Sequence, residues 1–316
     1  MTLVNTKKMF EIAYKQNFAI GAFNINNMEI FQGILEAAVE ESSPVIIAIS
    51  LGAWKYAGIE YLKSLIENGS EQHPDIPMAM HLDHGDSFES CKKAVDAGFT
   101  SVMIDASKEP FEKNIEITKR VVEYAHEYNV TVEAELGQLG GVEEHVVGVS
   151  HEDISKFLTN PDQAVEFVEK TNCDSLAIAC GTSHGAYKFK SEPKLAFDVI
   201  ENTAAKLPGV PLVMHGSSNV PVEFKDLINK YGGKMPDAMG VPDKAVTQAA
   251  KLSICKINID TDLRMAMTAK IREVFATKPE VFDPRKYLGP GRAAIKEQVK
   301  HKINILGSSD KAEICN

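Results

Sequence analysis

Short runs of β-branched and apolar residues alternate along the chain with longer segments in which apolar positions recur every three or four residues. The first pattern suits strands buried on both faces, and the second suits helices that cover them. Strands are predicted in this way at residues 19–24, 45–50, 78–83, 101–105, 131–135, 175–180, 211–215 and 256–259. Helical periodicity occupies, among others, residues 27–41, 87–97, 111–128, 161–170, 221–231 and 262–277, and a helical extension follows towards the C-terminus. Local signals agree: Ser87 can cap the helix after it, Pro161 and Pro221 suit a first helical turn, and Gly98 follows a helix end.

Eight strand–helix pairs predict an α/β fold, a (β/α)8 TIM barrel, with residues 1–316 as one domain because no Ser/Gly-rich linker or charge block divides them. An open doubly wound sheet is the alternative. Its dinucleotide-binding form would need a GxGxxG turn after an early strand, and the chain has none. Two stretches break the spacing and read as loop insertions, residues 136–160 after the fifth strand and 232–251 before the eighth. The first carries Gly137, Gly140, Gly141 and Gly148, which predicts either a mobile loop that closes over a site or a plain solvated excursion.

Composition narrows the function. A chain of 316 residues, 44% hydrophobic, can bury a large core without disulfides or metal staples. Its five cysteines are scattered and form no CxxC pair, which fits a reducing cytoplasm. No apolar run reaches the ~20 residues needed to span a bilayer and the N-terminus lacks a secretory h-region, so no membrane partner is expected. The net charge of −10 argues against nucleic acid as a partner, while leaving room for a small anionic substrate in a locally positive pocket.

Catalytic groups of a TIM barrel gather where the strands end, and here those ends are polar. They run into Asn24, Ser50, Asp83 with His84, Asp105, Glu133 with Glu135, Cys180 leading to His184, His215, and Asn258 with Asp260. His84, His184 and His215 are separated by 100 and 31 residues, which matches no local metal motif, so a shared site depends on barrel closure. Three imidazoles with an open fourth position would make a catalytic Zn²⁺ site, with cobalt or iron(II) as alternatives. Asp83 beside His84 is placed to move a proton, or else to orient a histidine ligand. His81 falls mid-strand, and the remaining histidines fall on helix surfaces or in loops, so all are left out of the site. The segments at 181–185 and 215–219 supply glycine, serine and backbone amides suited to phosphate, and Asn258, Asp260 and Thr261 add a further helix entrance. Lys256 is the one lysine abutting a strand in a way that raises Schiff-base chemistry, but it belongs at or just inside the N-terminal end of its strand, away from the active face.

In these segments, GAFNINN from Gly21, HLDHG from His81, SVMIDAS from Ser101, EAELGQLGG from Glu133, GTSHGAYK from Gly181, HGSSNVP from His215 and KINIDTD from Lys256, the chain resembles the class II, metal-dependent fructose-1,6-bisphosphate aldolases. The resemblance spans nearly the whole sequence. It implies that His84, His184 and His215 hold a catalytic zinc, and that Asp105 and Glu135 hold a second divalent ion or an alternative position of the first. It further implies that Asp83 exchanges the proton of the substrate C4 hydroxyl. Glu143 of the loop, with Glu144 as the fallback because of Val142, would handle the proton at C3 of dihydroxyacetone phosphate. Gly185, Gly216, Ser217, Ser218, Asn258, Asp260 and Thr261 match positions that grip the dihydroxyacetone phosphate moiety, beside a site for a monovalent cation. Ser50 matches a position near the aldehyde, and Asn24 lines the same mouth. An acidic residue at Asp260 is associated with fructose over tagatose bisphosphate. Arg264 and Arg285 are candidates for the distal phosphate, across a subunit boundary of the homodimer that the family suggests. The expected reaction is reversible cleavage of fructose 1,6-bisphosphate into dihydroxyacetone phosphate and D-glyceraldehyde 3-phosphate, in glycolysis and gluconeogenesis. Tagatose-bisphosphate aldolase, a metal-dependent hydrolase and a non-enzymatic scaffold are the alternatives.

Overall fold

A computed structural model describes residues 3–137, 158–182 and 195–316. Most of the glycine-rich loop, with Glu143 and Glu144, lies outside the described residues, as do His184 and Gly185.

The strands are β1 (Ile20–Asn24), β2 (Val45–Ser50), β3 (Met78–Gly85), β4 (Ser101–Ile104), β5 (Thr131–Leu136), β6 (Ser175–Ile178), β7 (Leu212–Met214) and β8 (Ile254–Ile259). They close into a barrel in sequence order, each parallel to its neighbours, with β8 pairing back onto β1. Around and below them lie α1 (Thr6–Gln16), α2 (Met28–Glu40), α3 (Leu51–Ala57), α4 (Ile59–Gln72), α5 (Phe88–Asp96) and α6 (Phe111–Glu127). The circuit continues with α7 (Pro161–Thr171), α8 (Phe197–Lys206), α9 (Val222–Lys230), α10 (Asp243–Ala250), α11 (Thr261–Thr277), α12 (Pro284–Leu306) and α13 (Ala312–Cys315).

Helix starts follow side-chain chemistry. Asn27 accepts from the Ile30 amide at 2.9 Å, and Ser87 forms a reciprocal capping box with Ser90. Asn160 caps α7 with Pro161 in its first turn, whereas Pro221 stands at the cap position of α9 and the helix begins at Val222. Met9, Phe10 and Ala13 of α1 pack against Ile20, Ala22, Ile46 and Ala79, plugging the N-terminal end of the barrel. Outer helices bury their apolar faces on the strands. Phe167 of α7 is fully enclosed, so truncating it to alanine would cost about 3–5 kcal/mol.

One sequence expectation needs correction. The stretch 232–251 is not a plain loop: Asp243–Ala250 folds into α10, burying Val246, Ala249 and Ala250. The C-terminal extension is the long helix α12, which packs on α2 and α11. Its Lys302, 1% exposed, reaches Asp243 at 2.7 Å and Asp262 at 2.9 Å, joining the starts of α10 and α11.

Candidate active site

Hydrogen bonds between strands that are not sheet neighbours can form only through the barrel interior. Asn24 of β1 donates from Nδ2 to Asp83 Oδ2 of β3 at 2.7 Å, and Asn258 of β8 donates to Asp83 Oδ1 at 2.9 Å. Asp83 is therefore clamped by one amide on each carboxylate oxygen. Beside it, His84 and His215 meet edge to face with ring centroids 4.6 Å apart, and His215 Nδ1 lies 4.0 Å from Asp83 Oδ1. His84 Nδ1 is 3.1 Å from Asp105 Oδ2 and 4.0 Å from Glu135 Oε2.

Asp83 and His84 are consecutive, and consecutive residues of a regular strand point to opposite faces. An irregularity in the β3–β4 pairing between Leu82 and Gly85 removes the conflict. His84 adopts φ +51°, a left-handed conformation costing a non-glycine residue about 1–2 kcal/mol, and both side chains reach one site. The next residue has to be glycine: a Cβ on Gly85 would fall 2.6 Å from the Met103 carbonyl and 2.7 Å from Cys91 Sγ.

Among the described residues, Asp83, Asp105 and Glu135 crowd around His84. Burial by itself would lower the pKa of His84, but Asp83, Asp105 and Glu135 outweigh burial and raise it to about 10. Burial likewise pushes Asp83 upward, yet His84, His215, Lys256 and the Asn24 hydrogen bond hold it far below the ordinary carboxylate range. Glu135 is pushed well above its usual value by burial and by Asp105, and its buried Oε2 has no hydrogen-bond partner among the described residues. Donor atoms of Asp83, His84 and His215 lie within 4.8 Å of one another, as do those of His84, Asp105 and Glu135. Imidazole nitrogens among several carboxylates suit a divalent metal ion, which would supply positive charge.

One step deeper in the barrel the pattern reverses. Lys256, fully buried, lies 3.0 and 2.8 Å from the two oxygens of Glu133, and Glu133 Oε1 accepts from His215 Nε2 at 2.6 Å. His81 sits beside them, with Nδ1 2.9 Å from Ser101 Oγ. Burial raises Glu133, but Lys256 and the hydrogen bond from His215 prevail and keep it ionised, well below the usual range. Lys256 is the third residue of β8, enclosed beneath the rim and not at the strand's outer end. By sequence Glu133 reads only as a strand-end acid. The available signal was parity, since a lysine facing the interior of a barrel needs an acid at the same depth.

The remaining predicted residues fall in three groups. Ser218 Oγ accepts from the Asp260 amide at 2.9 Å, and the Val241 amide donates to the Ser218 carbonyl at 3.1 Å, tying the turn after β7 to the entrance of α11 at Thr261. Gly216 takes φ +62°, and the Ser217 hydroxyl donates to the carbonyl of Met214 or His215. This junction requires Gly240, because a Cβ there would lie within 2.6 Å of the Ser218–Val220 backbone. Ser50 caps α3, accepting from the Ala53 amide at 3.2 Å. Arg264 pairs with Asp260 at 2.7 Å at the rim, whereas Arg285 pairs with Asp283 in its own turn with its side chain 88% exposed.

The family described as "Fructose-bisphosphate aldolase class-II" matches residues 4–311. The chain belongs to the class-II fructose-bisphosphate aldolase family. It is thereby an aldolase, a carbon–carbon lyase. A fructose-bisphosphate aldolase of Giardia intestinalis is 55% identical over 314 residues, covering 99% of this chain and 95% of the relative. One of Thermus caldophilus is 49% identical over 310 residues, 98% of this chain and 100% of the relative. The crystal structure of the YdjI aldolase from Escherichia coli K12 aligns with a TM-score of 0.78 at 32% identity, covering 98% of this chain and 100% of that one. No helix among the described residues is long and apolar enough to cross a membrane.

Proposed function

We propose that the chain catalyses reversible, zinc-dependent cleavage of fructose 1,6-bisphosphate into dihydroxyacetone phosphate and D-glyceraldehyde 3-phosphate, in glycolysis and gluconeogenesis. The observation that carries this reading is the convergence of Asp83, His84 and His215 with Asp105 and Glu135 at the barrel rim in a chain of this family. His84, His215 and His184 would hold the zinc, and Asp105 and Glu135 a second position. When bound, the ion polarises the ketose carbonyl and stabilises the negative charge that develops there.

Asp83 is held as a carboxylate, and each of its oxygens retains acceptor capacity beyond its amide hydrogen bond. It takes the proton of the C4 hydroxyl as the C3–C4 bond breaks and C4 becomes the aldehyde carbon. The electron pair of that bond remains on the dihydroxyacetone phosphate half. Glu143 returns a proton to C3. Gly185, Gly216, Ser217, Ser218, Asn258, Asp260 and Thr261 grip the phosphate end with a monovalent cation, Asn24 and Ser50 border the aldehyde side, and Arg264 and Arg285 serve the distal phosphate. A cytoplasmic homodimer belongs to the same reading, and light scattering checks the subunit number.

The decisive experiment is metal analysis paired with a coupled triose-phosphate assay before and after chelation. Cleavage should vanish with the metal and return on adding zinc. Full activity in demonstrably metal-free protein, or borohydride trapping of substrate on Lys256, would falsify the assignment. Comparing kcat/KM for fructose and tagatose bisphosphates tests the C4 epimer, with the fructose substrate expected to win.

A further inference from the structure

We propose that the buried Lys256–Glu133 pair is the positioning device for His215: it fixes that ring's tautomer and orientation so that Nδ1 presents its lone pair to the metal. The inference rests on the reading of the rim as a metal centre and extends it one layer inward, to residues that touch neither substrate nor ion.

Both Glu133 oxygens lie within 3.0 Å of Lys256 Nζ, and the two side chains are 0–1% exposed. A carboxylate held in this way is acceptor-only. The atom 2.6 Å from Glu133 Oε1, His215 Nε2, must therefore carry the hydrogen, which leaves the lone pair on Nδ1. Nδ1 is also the atom on the rim side, 4.0 Å from Asp83 Oδ1 and on the ring that meets His84 edge to face. Lys256 does more than neutralise charge. By occupying both oxygens it keeps Glu133 turned down into the barrel and so out of the ligand set, while Glu135, two residues on along the same face of β5, stands among the rim carboxylates. His81 completes the pocket at 3.9 Å from Glu133 Oε2, and the Ser101 hydroxyl holds its other nitrogen.

Carboxylate partners of ligating histidines typically change metal affinity about 10–100-fold when removed. The test is a zinc dissociation constant measured by chelator competition on the full chain, with folding checked by far-UV circular dichroism. Glu133→Gln keeps the side-chain shape but ends the ion pair, and should weaken zinc binding by about 10–100-fold while the barrel stays folded. Should that variant not fold, Glu133→Gln/Lys256→Met removes the unpaired ammonium, and the same loss of affinity is expected. A purely structural pair would instead lower the unfolding midpoint and leave the dissociation constant of the folded protein within twofold of the parent, which would overturn the inference. His84→Ala is the control. If the parent binds zinc and His84→Ala does not, while Glu133→Gln binds like the parent, only the positioning role fails. If parent and His84→Ala bind equally, the metal reading fails and this inference with it.

Discussion

Two layers of charge, one above the other inside the same barrel, handle burial in opposite ways. In the lower layer Glu133 meets Lys256 directly and also accepts from His215, the kind of added hydrogen bond that lets a low-dielectric interior tolerate an ion pair. In the upper layer Asp83, Asp105 and Glu135 face histidines, whose charge is conditional, and the result is a raised His84 and a buried Glu135 oxygen without a hydrogen-bond partner among the described residues. The lower layer is closed by an ion pair, whereas the upper one, among the described residues, sets three carboxylates against two histidines. Burial of charge by itself therefore does not mark a site; the marker is charge that neighbouring protein groups leave uncompensated.

Chelation should produce the largest separation between the layers, abolishing cleavage while leaving the Lys256–Glu133 pair and the fold in place, as assay and circular dichroism together would report. Next in size, Asp83→Ala should lower kcat by about 10²–10⁴ with zinc retained, measured by steady-state kinetics and metal analysis. Lys256→Met breaks the self-sufficient layer and should cost the metal-free protein about 3–5 kcal/mol in a urea titration, because Glu133 is left buried and unpaired. Arg264→Ala should raise KM for fructose 1,6-bisphosphate with little change in kcat, by the loss of about 1.5–3 kcal/mol of charged hydrogen bonding to phosphate. Smallest of all, Arg285→Ala should leave the thermal unfolding midpoint essentially where it is in the parent, since its partner Asp283 is a surface neighbour in the same turn.

The barrel was legible because each strand is a short apolar run followed by a break in period, from residues 45–50 with no polar residue before Ser50 to residues 254–259, where only Lys256 and Asn258 interrupt. The rim was legible because polar residues accumulate at one end of every strand, and parallel strands carry those ends to one mouth. Helix α10 was not, since eight residues after a glycine- and proline-rich stretch give too few turns for a 3.6-residue period to stand out. Nor was the depth of Glu133, because pairing register decides whether an acid near a strand end reaches the mouth or stops beneath it. Asn24 reads from sequence as lining the mouth and Asn258 as matching a position at the dihydroxyacetone phosphate moiety, but that each amide donates to Asp83 is a contact across the barrel that no local pattern encodes.

Lys302 gives the end of the chain a part in holding the barrel's helices in place. Its ammonium separates Asp243 from Asp262, and Asp262 belongs to the first turn of α11, next to Thr261. Without α12 those two acids would face one another at the starts of α10 and α11 with no ammonium between them. The last long helix thus lends the barrel wall a charge that the two shorter helices it joins do not supply for themselves.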